Sequence, residues 1–236
     1  MEDSCRRYYS DWAFISSGAL KVIAAGSMII DHIGFALFPK ITILRIIGRI
    51  SFPIYCFLLA ESARYTGNIR RFLFKLGIFA LISEIPFNLA FWRRVSYTPH
   101  QNVYFTLFLG VAMIALWQRQ LPSLPGQAGE ILVLACTCQI AWMLRTDYDW
   151  TGIMVIAVFY YFRDSVVIRF LLAGAVLCSM GKIEPYAVAA FIPIALYNGE
   201  HTLCGKRAKN IFYALYPVHL VILWILWLIM HRVLNL

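Results

Sequence analysis

Asp31 and His32 stand side by side in the apolar run MIIDHIGFALFP. A carboxylate beside an imidazole can take up, release and orient protons near neutral pH, so the pair could perform general acid or base chemistry. If the run crosses a membrane, each ionisable group costs about 2.5 to 3.5 kcal/mol on insertion scales, and such groups are candidates for a functional site. The alternative is a hydrogen bond between helices that only fixes packing.

Further polar residues recur in or beside later apolar runs. Lys21 lies eleven residues before His32, on nearly the same face of a helix and about 16 Å away along its axis. Arg45 and Arg49 share a face through their i, i+4 spacing, although Arg45 could instead extend to lipid headgroups. The other candidates are Glu84, His100, Gln101, Asn102, Asp147, Tyr148, Glu184, Tyr216 and His219. The run from 100 to 102 could equally cap a helix.

The elements that must position these residues follow from composition. The 236 residues are 61% hydrophobic and 14% charged, whereas a soluble domain carries about 25% charged residues. Apolar blocks of about 20 residues, the length of a transmembrane helix, recur almost end to end. We predict an all-α polytopic membrane protein, a single integral-membrane domain over residues 1–236, with about nine (eight to ten) transmembrane helices around an outward-facing polar chamber. The predicted spans are 13–38, 43–63, 71–91, 102–118, 129–145, 150–162, 165–181, 183–198 and 210–231.

The net charge of +9 is explained by membrane topology. A nucleic-acid binder clusters its basic residues on one soluble face, whereas here they separate apolar spans, so we expect a lipid bilayer and no nucleic acid as partner. More lysines and arginines fall on the cytoplasmic side when the N-terminus is inside than when it is outside. We therefore predict a multi-pass protein of the cytoplasmic membrane with a cytoplasmic N-terminus.

The cysteine spacing and the first apolar run predict no disulfide framework, metal site or cleaved signal peptide. The six cysteines show no CxxC spacing, so we expect neither a disulfide framework nor a metal site. The first apolar run lacks a small-residue cleavage site and continues into the Asp31 motif, which predicts a retained helix rather than a cleaved signal peptide.

Six motifs occur in order along the chain: LKVIAAGSMIIDHIG, LRIIGRISFPIYCFLLAES, SEIPFNLAF, HQNVYFTLFLG, DYDWTGI and IFYALYPVHL. Together they resemble the TraX family over about residues 19 to 230. TraX is a conjugation-associated membrane protein that acetylates the N-terminus of pilin. The spacing from Lys21 to His32 is also similar to the Arg-x10-His signature of transmembrane acyltransferases that acetylate sugars, which implies that His32 is the essential histidine.

The resemblance implies an acetyltransferase that uses cytoplasmic acetyl-CoA, without a metal, to modify a protein, sugar or lipid acceptor at the outer face. His32 would act as a base or carry the acetyl group, with Asp31 as a catalytic partner that orients it or another histidine. The implied coenzyme A phosphate ligands are Lys21, Arg64, Arg70 and Arg71. The implied substrate-binding residues are Arg45, Arg49, Glu84, His100, Gln101, Asn102, Asp147, Tyr148, Glu184, Tyr216 and His219.

The chain departs from the expected family pattern at two places: a glycine is expected where Asp149 stands, and a shorter segment over 197–207. Other functions also fit the residues alone. A proton-coupled small-molecule transporter lines its cavity with the same residue types, and a non-enzymatic membrane component of a conjugation or secretion machine is a third reading. Only the acyltransferase must bind acetyl-CoA.

Overall fold

A computed structural model describes residues 13–119, 126–200 and 206–233, which form helices joined by short connections. The helices are α1 Ser17–Ala36, α2 Thr42–Gly48, α3 Ser51–Tyr65, α4 Ile69–Trp92, α5 Val103–Arg119, α6 Gln127–Leu144, α7 Asp149–Tyr161, α8 Val166–Ser179, a 3-10 helix Glu184–Ala190, α9 Phe191–Ala195 and α10 Lys206–Val233. The described part of the chain contains no strand, which confirms the all-helical prediction.

The nine predicted spans coincide with nine apolar helical segments in the described residues. Five of these segments are long and apolar enough to cross a membrane: Ser17–Ala36, Thr42–Tyr65, Ile69–Trp92, Gln127–Leu144 and Asn210–Arg232. The other four are shorter: Val103–Arg119, Asp149–Tyr161, Val166–Ser179 and Glu184–Ala195. The number of crossings and the outward-facing chamber stay predictions.

Two spans that the sequence predicts as continuous helices are interrupted. The span 43–63 breaks after Gly48, and α3 begins three residues later at Ser51. At the break, Gly48 packs so closely on the Asp31 side chain that a Cβ atom would overlap it. The span 183–198 consists of the 3-10 helix followed by the five-residue α9.

Local sequence signals explain several helix starts. Ser16, Asn68 and Ser165 precede α1, α4 and α8, and each side chain accepts a hydrogen bond from the amide three residues later. These caps satisfy amides that the first helical turn leaves unpaired. Helix α4 continues through Pro86 over all its 24 residues.

The centre of the bundle is formed by α3 and the short α7. Ile153, Val155 and Ile156 of α7 are fully buried, and the helix packs against α3, α5, α6 and α8. Around this centre, α10 lies along α4 and also contacts α1. Polar residues on α1, α4, α5 and α10 are thereby brought to one region.

The described cysteines, Cys56, Cys136, Cys138 and Cys178, are free thiols. Cys5 and Cys204 lie outside the described residues, as do residues 201–205 of the segment that departs from the family pattern.

Candidate functional site

A pair of stacked imidazoles joins α1 to α10. His32 Nδ1 lies 2.7 Å from His219 Nε2, and the ring centroids are 4.9 Å apart at an angle of 12°. His219 Nδ1 lies 2.8 Å from the Leu215 carbonyl oxygen. A carbonyl only accepts, so Nδ1 of His219 carries the proton, and its Nε2 accepts from His32 Nδ1–H when both rings are neutral. His32 Nε2 then holds an unshared lone pair.

The surroundings of this pair are aromatic. The His32 ring meets Phe91 edge-on at 5.0 Å and Tyr216 at 5.9 Å between centroids. His219 is buried on α10, with Tyr216 at 5.6 Å. Because these neighbours pack on both rings, the orientation of His32 is set by packing as well as by its hydrogen bond to His219.

Asp31 faces two arginines rather than His32. Its Oδ2 accepts from Arg45 Nη1 at 2.6 Å, and its Oδ1 accepts from Arg49 Nη2 at 2.5 Å. Arg49 Nη1 also donates to Glu184 Oε1 at 2.9 Å. Asp31 and Arg49 are 6% and 7% exposed, so these charges depend on each other, because an unpaired buried charge is strongly destabilising. The contact lets Asp31 position the arginines, and a direct orienting bond to His32 is not made.

A second polar group ties α4 to the start of α5. Glu84 Oε2 accepts from Asn102 Nδ2 at 2.6 Å, and Glu84 Oε1 accepts from Asn88 Nδ2 at 3.2 Å. Asn102 Oδ1 accepts from the Tyr104 amide at 3.1 Å, so Asn102 caps α5, as one reading of the sequence predicted. The Gln101 side chain donates to a backbone carbonyl in its own loop at 3.4 Å.

Two loops meet at the same end of the bundle through His100 and Asp147. His100 Nε2 lies 2.8 Å from Asp147 Oδ1, and both side chains are about a third exposed, at 35% and 28%. The hydrogen bond to Asp147 raises the pKa of His100 above its usual value, although partial burial opposes the shift. Tyr148 stacks on Phe52 with 3.4 Å between ring centroids.

Asp149 stands where the family resemblance leads us to expect glycine. Its φ is 50°, in the left-handed region that glycine adopts without strain. Aspartate is among the few other residues enriched in this region. The departure from the family pattern is therefore compatible with the same turn at the start of α7.

A cavity of about 840 Å³ opens at the other end of the bundle, beside the connection between α3 and α4. Its mouth carries Lys21, Arg71 and Lys75, and its apolar walls come from α1, α3, α4, α5 and α10. The lining on α1 ends at Met28, one helical turn before His32, and the lining on α10 ends at Tyr216, three residues before His219. The cavity thus leads from a basic mouth toward the histidine pair.

The cavity includes some of the predicted phosphate ligands and not others. Lys21 and Arg71 line it, whereas Arg64 donates to the Tyr160 carbonyl at 2.5 Å and stacks on the Tyr160 ring. Arg70 is exposed and lies outside the lining. Lys75, which the sequence analysis did not select, lies one turn after Arg71, and their i, i+4 spacing is the signal that could have found it.

Comparison with known proteins gives the family. The family model described as TraX protein matches residues 16–227. The chain belongs to the TraX family. This TraX chain is 27% identical over 234 residues to a probable fimbrial assembly protein, FimC, of Dichelobacter nodosus, covering 88% of the chain and 94% of that protein.

A second relative of the TraX chain is an uncharacterized protein of Rickettsia prowazekii (strain Madrid E). It is 31% identical over 140 residues, which cover 59% of the chain and 51% of that protein, so the chain spans about half the length of this relative. No solved structure matches the TraX chain significantly. The predicted family is therefore confirmed, and its activity in this protein is a separate question.

Proposed function

We propose that this TraX-family protein is a membrane acyltransferase that moves an acetyl group from acetyl-CoA to an amine or hydroxyl at the opposite face of the bundle. The observation that carries the proposal is the basic-mouthed cavity whose lining ends one helical turn from the His32–His219 pair. A transporter needs no such relation between a cation-rich mouth and an imidazole with an unshared lone pair.

The donor substrate would enter through the cavity mouth. Lys21, Arg71 and Lys75 supply cations that match the phosphates of coenzyme A. The volume of about 840 Å³ lies in the usual range of small-molecule sites, roughly 300 to 1,000 Å³. The apolar walls suit the thioester arm, so the reacting carbonyl would approach the histidines at the inner end.

His32 would act as the general base. As the acceptor attacks the thioester carbonyl carbon, His32 Nε2 takes the acceptor proton, and it returns a proton to the departing thiolate. The new carbon–nitrogen or carbon–oxygen bond replaces the carbon–sulfur bond. His219 Nε2 holds His32 Nδ1–H throughout and keeps the lone pair of Nε2 directed at the substrate.

The ion pairs between Asp31, Arg45, Arg49 and Glu184 would help to bind the acceptor substrate. Asp31 holds Arg45 and Arg49 in place, and the Arg45 side chain keeps 23% exposure, so it can bind an incoming group. We assign Asp31 a positioning role in this reaction, in place of the catalytic role expected from sequence. Glu84 and Asp147 lie at the same end of the bundle, and their carboxylates add negative charge that favours an amine acceptor.

The family resemblance and one relative support a proposal for the acceptor class. The Dichelobacter nodosus relative is named for fimbrial assembly, and we propose a pilus subunit with a free N-terminal amine as the acceptor. Mass spectrometry of surface fractions with and without the protein should then show a pilus subunit heavier by one acetyl group. The basic mouth would face the cytoplasm, where acetyl-CoA is made, in the cytoplasmic membrane.

Donor binding separates the enzyme from a transporter. Arg71→Ala should weaken acetyl-CoA affinity about five- to tenfold, because it removes one charge-assisted contact. Arg70→Ala is the matched control, since its neighbouring side chain lies outside the cavity lining, and calorimetry should give a wild-type affinity. If purified wild-type protein binds no acetyl-CoA, the acyltransferase proposal fails and the transporter reading moves ahead.

Chemistry at His32 is tested by His32→Asn, which keeps hydrogen-bonding capacity at similar size. Turnover should fall about 10²-fold or more through loss of the base, while acetyl-CoA affinity stays near wild type. His231 is exposed near the end of α10, so His231→Asn is the control and should keep full turnover. A folded His32→Asn protein with wild-type turnover would remove His32 from the mechanism.

A further inference from the structure

Tyr216 connects the cavity to the histidine pair. Its side chain lines the cavity, and its ring contacts His32 and His219 edge-on at 5.9 and 5.6 Å between centroids. It is 4% exposed and packs against Tyr104 at 5.1 Å. A group that reaches the end of the cavity therefore meets Tyr216 beside His32.

The hydroxyl groups of Tyr104 and Tyr216 differ in their hydrogen bonding. Tyr104 donates its hydroxyl hydrogen to the Tyr213 carbonyl at 3.0 Å. The Val103 backbone amide acts on the Tyr216 oxygen, and because an amide N–H only donates, the phenol can only accept there. Within the described ranges, no protein acceptor is recorded for the hydroxyl hydrogen of Tyr216.

The start of α5 lies next to this hydroxyl. Val103 is the first residue of α5 and also lines the cavity. The first amides of a helix lack intrahelical partners and form the positive end of the helix dipole. The Tyr216 hydroxyl and the N-terminus of α5 thus lie together at the inner end of the cavity, and the Tyr216 ring contacts the base, His32.

We propose that the Tyr216 hydroxyl is a catalytic residue that donates a hydrogen bond to the acyl carbonyl oxygen of the thioester donor. This inference rests on the proposed acyltransferase function. When the acceptor attacks the carbonyl carbon, the carbonyl electron pair moves onto the oxygen, and Tyr216 stabilises that charge without giving up its proton. The carbonyl re-forms as the carbon–sulfur bond breaks, and His32 returns the acceptor proton to the thiolate.

Tyr216→Phe tests the proposal because it keeps the ring contacts and removes only the hydroxyl. Turnover should fall about 10- to 10²-fold, toward the loss seen when one oxyanion donor is removed elsewhere. Affinity for S-ethyl-CoA, a thioether without the carbonyl, should match wild type, which a packing role for the hydroxyl would not allow. Tyr161→Phe makes the same chemical change at an exposed position outside the cavity lining and should leave turnover within about twofold.

The outcomes separate this inference from the function on which it rests. If the wild-type protein transfers acetyl groups and Tyr216→Phe does so with the same turnover, the role of Tyr216 is overturned and the acyltransferase proposal stands. Parallel losses of turnover and S-ethyl-CoA affinity also overturn it, because they indicate packing. A wild-type protein that neither binds nor consumes acetyl-CoA overturns both. If Tyr216→Phe does not fold, fluorotyrosine at position 216 replaces it: the more acidic hydroxyl on the same ring should change turnover, and unchanged turnover overturns the role.

Discussion

The two imidazoles of the candidate site come from residues 187 positions apart. Their hydrogen-bond roles are set in sequence: the Leu215 carbonyl fixes the proton of His219, and His219 in turn fixes the proton of His32. Such an arrangement leaves one nitrogen of His32 able to accept a proton. Asp31, adjacent to His32 in sequence, serves a different set of partners on the neighbouring helix.

At the residue scale, the His100–Asp147 pair should respond to pH. The hydrogen bond to Asp147 raises the pKa of His100, so NMR titration should place this imidazole above its reference value of about 6.5. Asp147→Asn should lower the pKa of His100. His100→Asn removes this resonance and thereby assigns it in the same spectra.

The sign of the linked stability change follows from the raised pKa. Protonated His100 is favoured in the folded state, so the pair's stabilisation is fully present below the unfolded pKa, about pH 6.5, and is lost as the pH rises through the folded pKa. The thermal midpoint of Asp147→Asn should therefore fall further below wild type at about pH 5.5 than at about pH 9. Equal differences in thermal midpoint at the two pH values would contradict a charged His100–Asp147 pair.

At the element scale, the break between α2 and α3 is built around one close contact. Gly48 ends α2 and leaves room for the Asp31 side chain from α1. Arg45 of α2 and Arg49 at the break then both donate hydrogen bonds to Asp31. The apolar pattern alone predicted a continuous helix over this span. The structure instead ends α2 at Gly48, where the Asp31 contact is made, and starts α3 at Ser51.

Gly48→Ala should therefore disrupt the ion-pair network. Its Cβ overlaps Asp31, and we expect a loss of about 1 to 3 kcal/mol in stability from overpacking, together with reduced turnover. Gly26→Ala is the matched control on α1, because no atom lies within 4 Å of its added Cβ, and alanine is the better helix former by about 1 kcal/mol. Equal thermal midpoints for the two variants would show that the Gly48 contact does not constrain Asp31.

At the scale of the whole molecule, the bundle has two chemically distinct ends. The cavity mouth with Lys21, Arg71 and Lys75 lies at one end, and the His100–Asp147 loops lie at the other. Helix α4 joins the two ends with 24 residues, about 36 Å of helix. A reaction between substrates that arrive from opposite faces would use such a layout.

Orientation in the membrane is tested by labelling single cysteines in a cysteine-free background. With a cytoplasmic N-terminus, an impermeant reagent should reach a cysteine at Tyr97 from outside the cell and a cysteine at Gly67 only after the membrane is opened. These positions follow and precede α4 in sequence. The reverse pattern would place the basic mouth outside and exclude cytoplasmic acetyl-CoA as the donor.

Much of the architecture was determined by the sequence alone. The all-helical class, the positions of the apolar segments and the candidate residues follow from patterns within about 20 neighbouring residues. The cap at Asn102 and the shared face of Arg45 and Arg49 are also local, since helix geometry fixes which residues lie three or four positions apart. The family resemblance could be recognised for the same reason, because its motifs are short and occur in order.

The site itself was decided by the tertiary structure. Which carboxylate holds Arg49, which histidine meets His32 and where the helix after Gly48 breaks all depend on how helices rotate and pack against partners far away in sequence. Apolar composition all around a helix leaves that rotation unspecified, because several faces could be buried equally well. Close contacts at glycines and pairing of buried charges select one packing, and these contacts exist only after the helices have assembled.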